Sequence, residues 1–304
     1  MTDRIYIDGQ DGFATFGVFV VEGGYDDLVA FPPLKPVESN DWHEEDGIEA
    51  DLSAPVLDTR EFAMKFGFTG DTHLFNEFIE LLSDGAYHEF YFKEIGRTYR
   101  LRMVSAPALQ TVQTLGLATI QFADDFPLDG YVYAEPESTI QSYYDYELDG
   151  RPLTDYGARV LAGTLDEVIK SPAVKQNLLR NIATLSGAMY DGEMVTFSTK
   201  DVKVNLLMRA DTLDELWRNY DALLYDLVRP GERLLYVART GYEYPCYYKS
   251  AVVSEFYADG RPWLKFSVTL VFTSFRAHGN DYLLAGEDGS LILDEEGINY
   301  IDVE

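Results

Sequence analysis

Few residue groupings in this 304-residue chain could do chemistry. Paired carboxylates stand at Glu44-Glu45-Asp46 and Asp124-Asp125, and neighbouring carboxyls can split their proton affinities for acid–base work or hold a cation. The chain carries 52 acids, so adjacency alone accounts for such pairs. A calcium loop would need alternating oxygen ligands ending in Glu, and that pattern is missing. As solvated surface acids, Glu44, Glu45, Asp124 and Asp125 are expected to tolerate replacement by amides. His43, His73, His88 and His278 are scattered, with no two at ligand spacing on a helix. Cys246 is the only cysteine, which excludes an intrachain disulfide and a cysteine-zinc cluster. It lies among Tyr244-Pro245-Cys246-Tyr247-Tyr248, where a buried inert thiol is expected. Gly23-Gly24 lacks the strand-glycine-helix context of a phosphate loop, and no Walker or dinucleotide fingerprint occurs. No Ser or Cys occupies a nucleophile elbow. The sequence therefore names no catalytic residue, no cofactor-binding residue and no metal ligand.

Charge narrows the partners. Lys and Arg number 24 against 52 Asp and Glu, a formal net charge of −28. Specific nucleic-acid binding through phosphates needs clustered cations, and docking on anionic membranes needs the same. Neither is expected. High net charge by itself keeps proteins soluble, and an acidic wall would also let DNA slide past without sticking. The start, Met1-Thr2-Asp3-Arg4, has no signal-peptide pattern and no apolar run reaches membrane-spanning length. The chain is expected to fold in a cytosol.

The elements that must position these residues repeat. Thr15-Phe16-Gly17-Val18 matches Asp155-Tyr156-Gly157-Ala158, Thr59-Arg60-Glu61-Phe62 matches Thr199-Lys200-Asp201-Val202, and Asp71-Thr72 matches Asp211-Thr212, each 140 positions apart. Ile7-Asp8-Gly9 answers Leu148-Asp149-Gly150 at 141, Asp46-Gly47 is paired with Asp191-Gly192 at 145, and Gly85 with Gly231 at 146. A period this long implies a duplicated domain, not a solenoid. The expected organisation is copy 1 over residues 1–128, a Tyr-rich ordered connector over 129–147, copy 2 over 148–276, and an acidic hairpin or arm over 277–304.

Each copy predicts the same order. A strand runs through the aromatic-Gly step, over Phe16–Val21 and Tyr156–Leu161. A loop-rich segment follows, and in copy 2 its Val174–Leu185 stretch predicts a local helix from Leu178, Leu179, Ile182 and Leu185. Phe62, Met64 and Phe66 alternate with Glu61, Ala63 and Lys65, as Val202, Val204 and Leu206 do with Asp201, Lys203 and Asn205, which predicts half-buried strands. One amphipathic helix comes next, capped by Asp71 or Thr72 in copy 1 and by Asp211 or Thr212 in copy 2. Closing strands cover Phe90–Phe92, Tyr99–Met103 and Leu117–Phe122, then Leu234–Val237, Cys246–Val253 and Leu264–Phe272. The fold class is mainly β (α+β): two tandem small antiparallel barrels or sandwiches, each with one packed helix, plus the acidic extension.

This order of elements resembles the N-terminal domain of phage distal tail proteins, the Dit family, and related minor tail proteins. Gly187–Phe275 carries the nearer likeness, through Asp191-Gly192, Thr199-Lys200-Asp201-Val202, the long helix and Phe266-Ser267-Val268-Thr269-Leu270-Val271-Phe272. In copy 1, Asp46-Gly47, Asp58-Thr59-Arg60-Glu61 and Ile120-Gln121-Phe122 take the same places. Family members usually carry one such domain, whereas here it is repeated, and the acidic tail has no counterpart. The resemblance implies a non-enzymatic virion structural protein, assembled in the bacterial host cytoplasm and located in the virion tail. It would form a homo-oligomeric ring joining the tail tube to the hub and receptor-binding apparatus around an acidic DNA channel. The ring would be a pseudo-hexamer of three chains, which the retained loop and helix in both copies favour, or a hexamer of six. Two other classes stand beside it: a carbohydrate-binding adhesin using exposed tyrosines, and a cell-wall glycan hydrolase using paired carboxylates.

Overall fold

The computed structural model describes residues 5–21, 24–69, 72–112, 115–175, 179–180, 184, 186–187, 189–190 and 195–274. The acidic segment 277–304, His278, Asp71 and the Asp191-Gly192 pair lie outside them. The described chain is mainly β, and its strand pairs are antiparallel.

The first half holds β1 (Ile5–Ile7), β2 (Gln10–Asp11), α1 (Gly12–Phe16), β3 (Val18–Val20), α2 (Asp26–Val29), β4 (Ser39–Asn40), β5 (Glu49–Ala50), β6 (Arg60–Thr69), α3 (Thr72–Leu82), β7 (His88–Phe92), β8 (Arg97–Val112) and β9 (Leu115–Asp124). The second holds β10 (Tyr146–Leu148), β11 (Arg151–Pro152), a 3-10 turn at Leu153–Tyr156, β12 (Ala158–Val160), α4 (Thr164–Ile169), β13 (Leu179–Arg180), β14 (Met189–Tyr190), β15 (Lys200–Arg209), α5 (Leu213–Leu227), β16 (Arg233–Val237), β17 (Tyr242–Tyr257) and β18 (Trp263–Phe272). The two seven-stranded sheets run β2-β1-β7-β8-β9-β6-β3 and β11-β10-β16-β17-β18-β15-β12, the same order element for element.

Long strands turn the sheet over on itself. β8 pairs with β7 through Arg97–Leu101 and with β9 from Arg102 onward, its register broken between Met103 and Ser105. β17 divides in the same way between β16 and β18, with a break between Tyr248 and Ser250. Such bulges let one strand serve two layers. The outer strands β1 and β3 then approach across α1, where a Cβ on Gly12 would lie 2.9 Å from Ile5 Cγ2 and 3.4 Å from Val18 Cγ2. The alternation read from sequence holds: Phe62, Met64, Phe66 and Phe68 are buried from β6, and Val202, Val204, Leu206 and Met208 from β15. Helix α3 closes the first core, Phe75 stacking on Phe68 at 4.2 Å and Phe78 meeting Phe66 edge-on at 5.5 Å.

Three expectations are corrected. Phe16 and Tyr156 are not strand residues; each ends a short helical turn, and the strands begin at Val18 and Ala158. Asp11 accepts from Phe13 N and Ala14 N at 3.0 Å, and this local cap nucleates the turn that drives Phe16 into the core. The stretch expected to be a helix from Val174 bridges Phe197 and then forms β13 where it is described; the tertiary arm outcompetes a short apolar stripe. Because β4–β5 and β13–β14 pair at equivalent positions 140 apart, Gly47 (φ 70°) corresponds to Gly187 (φ 90°) and not to Gly192.

Asp8 and Asp149 share one local geometry. Both have left-handed backbones, φ 50° and 52°. Asp8 takes His88 Nδ1 at 2.7 Å and Glu89 N at 2.8 Å; Asp149 takes Arg233 Nη1 at 2.7 Å and Leu234 N at 2.8 Å. Gly157 ends the 3-10 turn at φ 74°, and a Cβ there would stand 2.8 Å from Arg209 O. Gly157→Ala is expected to lower stability by about 1–3 kcal/mol through backbone strain, read as a shifted urea midpoint with an unchanged slope.

Candidate functional site

Of the acids expected to be solvated, Glu44 and Glu45 are exposed, whereas Asp124 and Asp125 are not. Arg60, at the head of β6, donates to Leu28 O and Ala30 O at the end of α2 and pairs with Asp124 at 2.8 Å, both partners largely buried. Asp125 binds Arg102 Nε at 2.5 Å and accepts from Thr59 Oγ1 and Tyr87 Oη, each at 2.9 Å. The Arg102 hydrogen bond, reinforced by Thr59 and Tyr87, holds the Asp125 carboxyl down to about 2. These are structural ion pairs that tie the sheet to its loops. Neighbouring identity in sequence hid the fact that their partners lie far along the chain.

Lys200 occupies the place of Arg60 in the second half. It donates to Glu167 O at 3.0 Å, to Val168 O, and to Lys170 O at 2.6 Å, closing the end of α4. Opposite it in the register stands Phe272, where Arg60 faces Asp124. Burial pulls its ammonium down to about 8.

Of the remaining candidates, His88 and Cys246 are buried, and His43 and His73 are exposed. His88 is buried between Asp8 and Asp84, at 2.7 and 3.2 Å, and His73 is exposed beside Glu77. Cys246 is fully buried, and burial pushes its thiol far above the ordinary range, as an inert cysteine requires. Among the described residues no three His, Cys, Asp or Glu side chains gather as metal ligands.

What the structure does build is a junction between the halves. Leu216, Trp217, Asn219, Tyr220, Leu223, Leu224, Asp226 and Leu227 of α5 are all buried, more than one amphipathic face. Trp217 Nε1 donates to Ile95 O at 2.7 Å, and Arg97 lies over the indole at 4.4 Å while pairing with Asp221. Burial pushes the Asp221 carboxyl up, opposed by Arg97. Tyr220 Oη donates to Val29 O at 2.9 Å, and Phe31 stacks on its ring at 4.0 Å. The connector lies along the same helix. Asn219 exchanges hydrogen bonds with Glu137 N and O at 2.9 and 3.0 Å, and Asp226 accepts from Tyr133 Oη at 3.2 Å and Tyr156 Oη at 2.6 Å. Burial, with Asp226 beside it, pushes the Tyr133 hydroxyl up to about 12.

From Phe31 to Leu52 the chain then runs as an arm onto the second half. Leu34 N donates to Lys249 O at 2.9 Å, Tyr248 Oη to Pro32 O at 2.8 Å, and Gly231 N to Leu52 O at 2.8 Å. Lys175 inserts into the loop between β4 and β5, its Nζ within 2.7 Å of Trp42 O, Glu45 O, Gly47 O and Asp41 Oδ1. Thr196 Oγ1 donates to His43 O, Phe197 N to Asp46 Oδ1, and Gly47 N to Phe197 O. A Cβ on Gly47 would fall 1.5 Å from Thr273 O, so only glycine lets the backbones approach. Sequence reasoning missed this arm and its lysine. The available signal was Pro33-Leu34-Lys35 standing 140 residues before Ala173-Val174-Lys175 in a chain poor in cations.

Where the halves meet, a cleft of about 370 Å³ is lined by Arg60, Tyr99, Phe126, Tyr131, Tyr220 and Asp221 among others. Arg60 Nε and Tyr99 Oη are buried there with no hydrogen-bond partner among the described groups. Of the exposed tyrosines, Tyr242 and Tyr257 stand at opposite ends of β17.

No family model matches the chain, and no curated protein matches its sequence. Among solved structures the chain is similar to the Dit protein (gp 19.1) of SPP1, described as a paradigm of the hub adsorption apparatus in phages infecting Gram-positive hosts. The match has 11% identity and covers 90% of this chain and 99% of that one, with a TM-score of 0.32. At that score the likeness decides neither the fold nor the role of this chain.

Two tests follow. Trp217→Ala removes a buried ring and the bond to Ile95, and is expected to cost about 3–5 kcal/mol; calorimetry is expected to resolve two transitions where the intact junction gives one. Asp125 has a folded-state pKa below its unfolded one, so its stabilisation is present above about pH 4 and is lost as pH falls through about 2. Asp125→Asn is expected to lower the urea midpoint at pH 7 and to flatten the acid limb between about pH 4 and 2.

Proposed function

We propose that this chain is a structural component of a phage or prophage-derived tail tip, without enzymatic activity. It forms a ring that joins the tail tube to the hub and receptor-binding apparatus and leaves an acidic channel for DNA. The boundaries follow the repeat: copy 1 over 1–128, the connector over 129–147, copy 2 over 148–276. The halves arose by duplication of one domain.

The observation that carries this reading is the head-to-tail junction. Two units of one strand order are joined by the arm of the first lying on the second, through different surfaces on each. A contact of that kind, repeated, closes into a ring or extends as a filament, whereas a two-fold contact stops at a pair. The net charge of −28 suits a wall past which polyphosphate must move. The order of elements read from the sequence in each half resembles that of the phage distal tail family. Ion pairs, buried at Arg60–Asp124 and part-buried at Arg102–Asp125, occupy two of the carboxylates weighed for a hydrolase.

Negative-stain electron microscopy of the purified full chain is expected to show rings, and mass measurement on them to give three or six chains. A protein that stays monomeric at high concentration and retains a glycan on an array would replace this reading with the adhesin one.

A further inference from the structure

The contact that joins the halves has a second, empty edition on the outside of the molecule. The residues buried in the arm contact have counterparts 140 positions away, or, in the bulge, at the matching register break; Trp217 and Tyr220 of α5 are not part of this repeat, since exposed Glu77 and Glu80 stand at their places in α3. Val29, at the root of the docked arm, is 2% exposed; its counterpart Ile169 is 39% exposed. Leu34 is partly buried against the core, while Val174 is 47% exposed. On the receiving side, Thr196 is 5% exposed and Val56 is 53%. Lys175 is 5% exposed with its ammonium inside the loop, and Lys35 is exposed.

The backbone of the receiving site is the same in both halves. Lys35 N donates to Val56 O and Lys175 N to Thr196 O, each at 2.8 Å, and Asp58 N to Pro33 O as Ser198 N to Ala173 O, again at 2.8 Å. The carbonyl that accepts Leu34 N belongs to Lys249, the residue skipped at the register break of β17. The residue skipped at the matching break of β8 is Val104, and it is 41% exposed.

We propose that the face of the first half around Val104, with Lys35 and Val56 flanking it, receives the Ile169–Val174 segment of a second copy of this chain. The arm and its receptor sit on different halves, so the contact between chains repeats the contact within the chain and leaves one free end of each kind on every added subunit. Apolar side chains on the arm and the receptor are left in water until that contact forms. The surface deepens the ring reading above and rests on it for closure alone.

Mixing two blocked variants tests the surface. Val104→Asp spoils the receptor and Ile169→Asp spoils the arm; both positions are exposed, so the melting temperature of each variant is expected to stay near that of the parent. Each variant alone is expected to be monomeric by mass photometry. An equal mixture is expected to give twice the monomer mass and nothing larger, since one intact arm meets one intact receptor. A Val104→Cys, Val174→Cys double variant is expected to form disulfides between chains under mild oxidation. The Leu34→Cys, Lys249→Cys variant is expected to form the matching bond within one chain. Rings that survive both single substitutions, or a mixture that stays monomeric, would overturn this surface and leave the ring reading standing. Capped dimers from the mixture, with open filaments from the parent, would keep the surface and sink the ring.

Discussion

Helix α5 must be buried on more of its circumference than one sheet can cover, and the rest of the molecule is arranged to meet that requirement. Its own sheet shields part of it. Ile95, Arg97 and Val29 of the first half shield another part, and the connector covers the remainder with Glu137 and Tyr133. The helix brings Asn219, Asp221 and Asp226 into this interior. Asn219 and Asp226 meet partners from the connector and Asp221 one from the first half, so unpaired buried polar groups would penalise any separation of the segments. The helix therefore acts as an axle that fixes two sheets and a linker in one register.

The first half shows what such a domain looks like when that demand is absent. Helix α3 is shorter, and its buried residues are Phe75, Phe78 and Leu82, facing the core. Trp217 and Tyr220, which reach across the junction, belong to the longer helix. Specialisation is thus concentrated in one element, while Asp8 and Asp149, the two strand breaks and the two arms keep their shared geometry. The halves differ most at the helix, because the sheet's pairings constrain each other and a solvent-facing helix surface does not.

Much of the fold was legible because it is local or periodic. Alternation marked β6 and β15, the capping Thr212 marked the start of α5, and the spacing of 140 marked equivalent positions. What escaped was decided at long range. The aromatic-Gly step reads as a strand until Asp11 is seen capping a turn. The Val174 stretch has a helical stripe, yet its backbone bridges Phe197. Asp124 and Asp125 look like surface acids because Arg60 and Arg102 are not adjacent to them in sequence. The junction was the least readable part. Its bonds run mostly from side chains to carbonyls, and carbonyls leave no mark in a sequence.

The clasp at the end of each short helix has a further meaning. In the first half a guanidinium holds Leu28 O and Ala30 O while the other arm of its rigid fork reaches Asp124. In the second an amine holds Val168 O and Lys170 O, and it gives up its proton near pH 8. The first clasp anchors an arm already committed inside the molecule. The second anchors the root of the arm that remains outside. One hinge is riveted and the other is latched: the buried arm is fixed for the life of the fold, and the outer arm hangs from a fastening that mild alkali can ease.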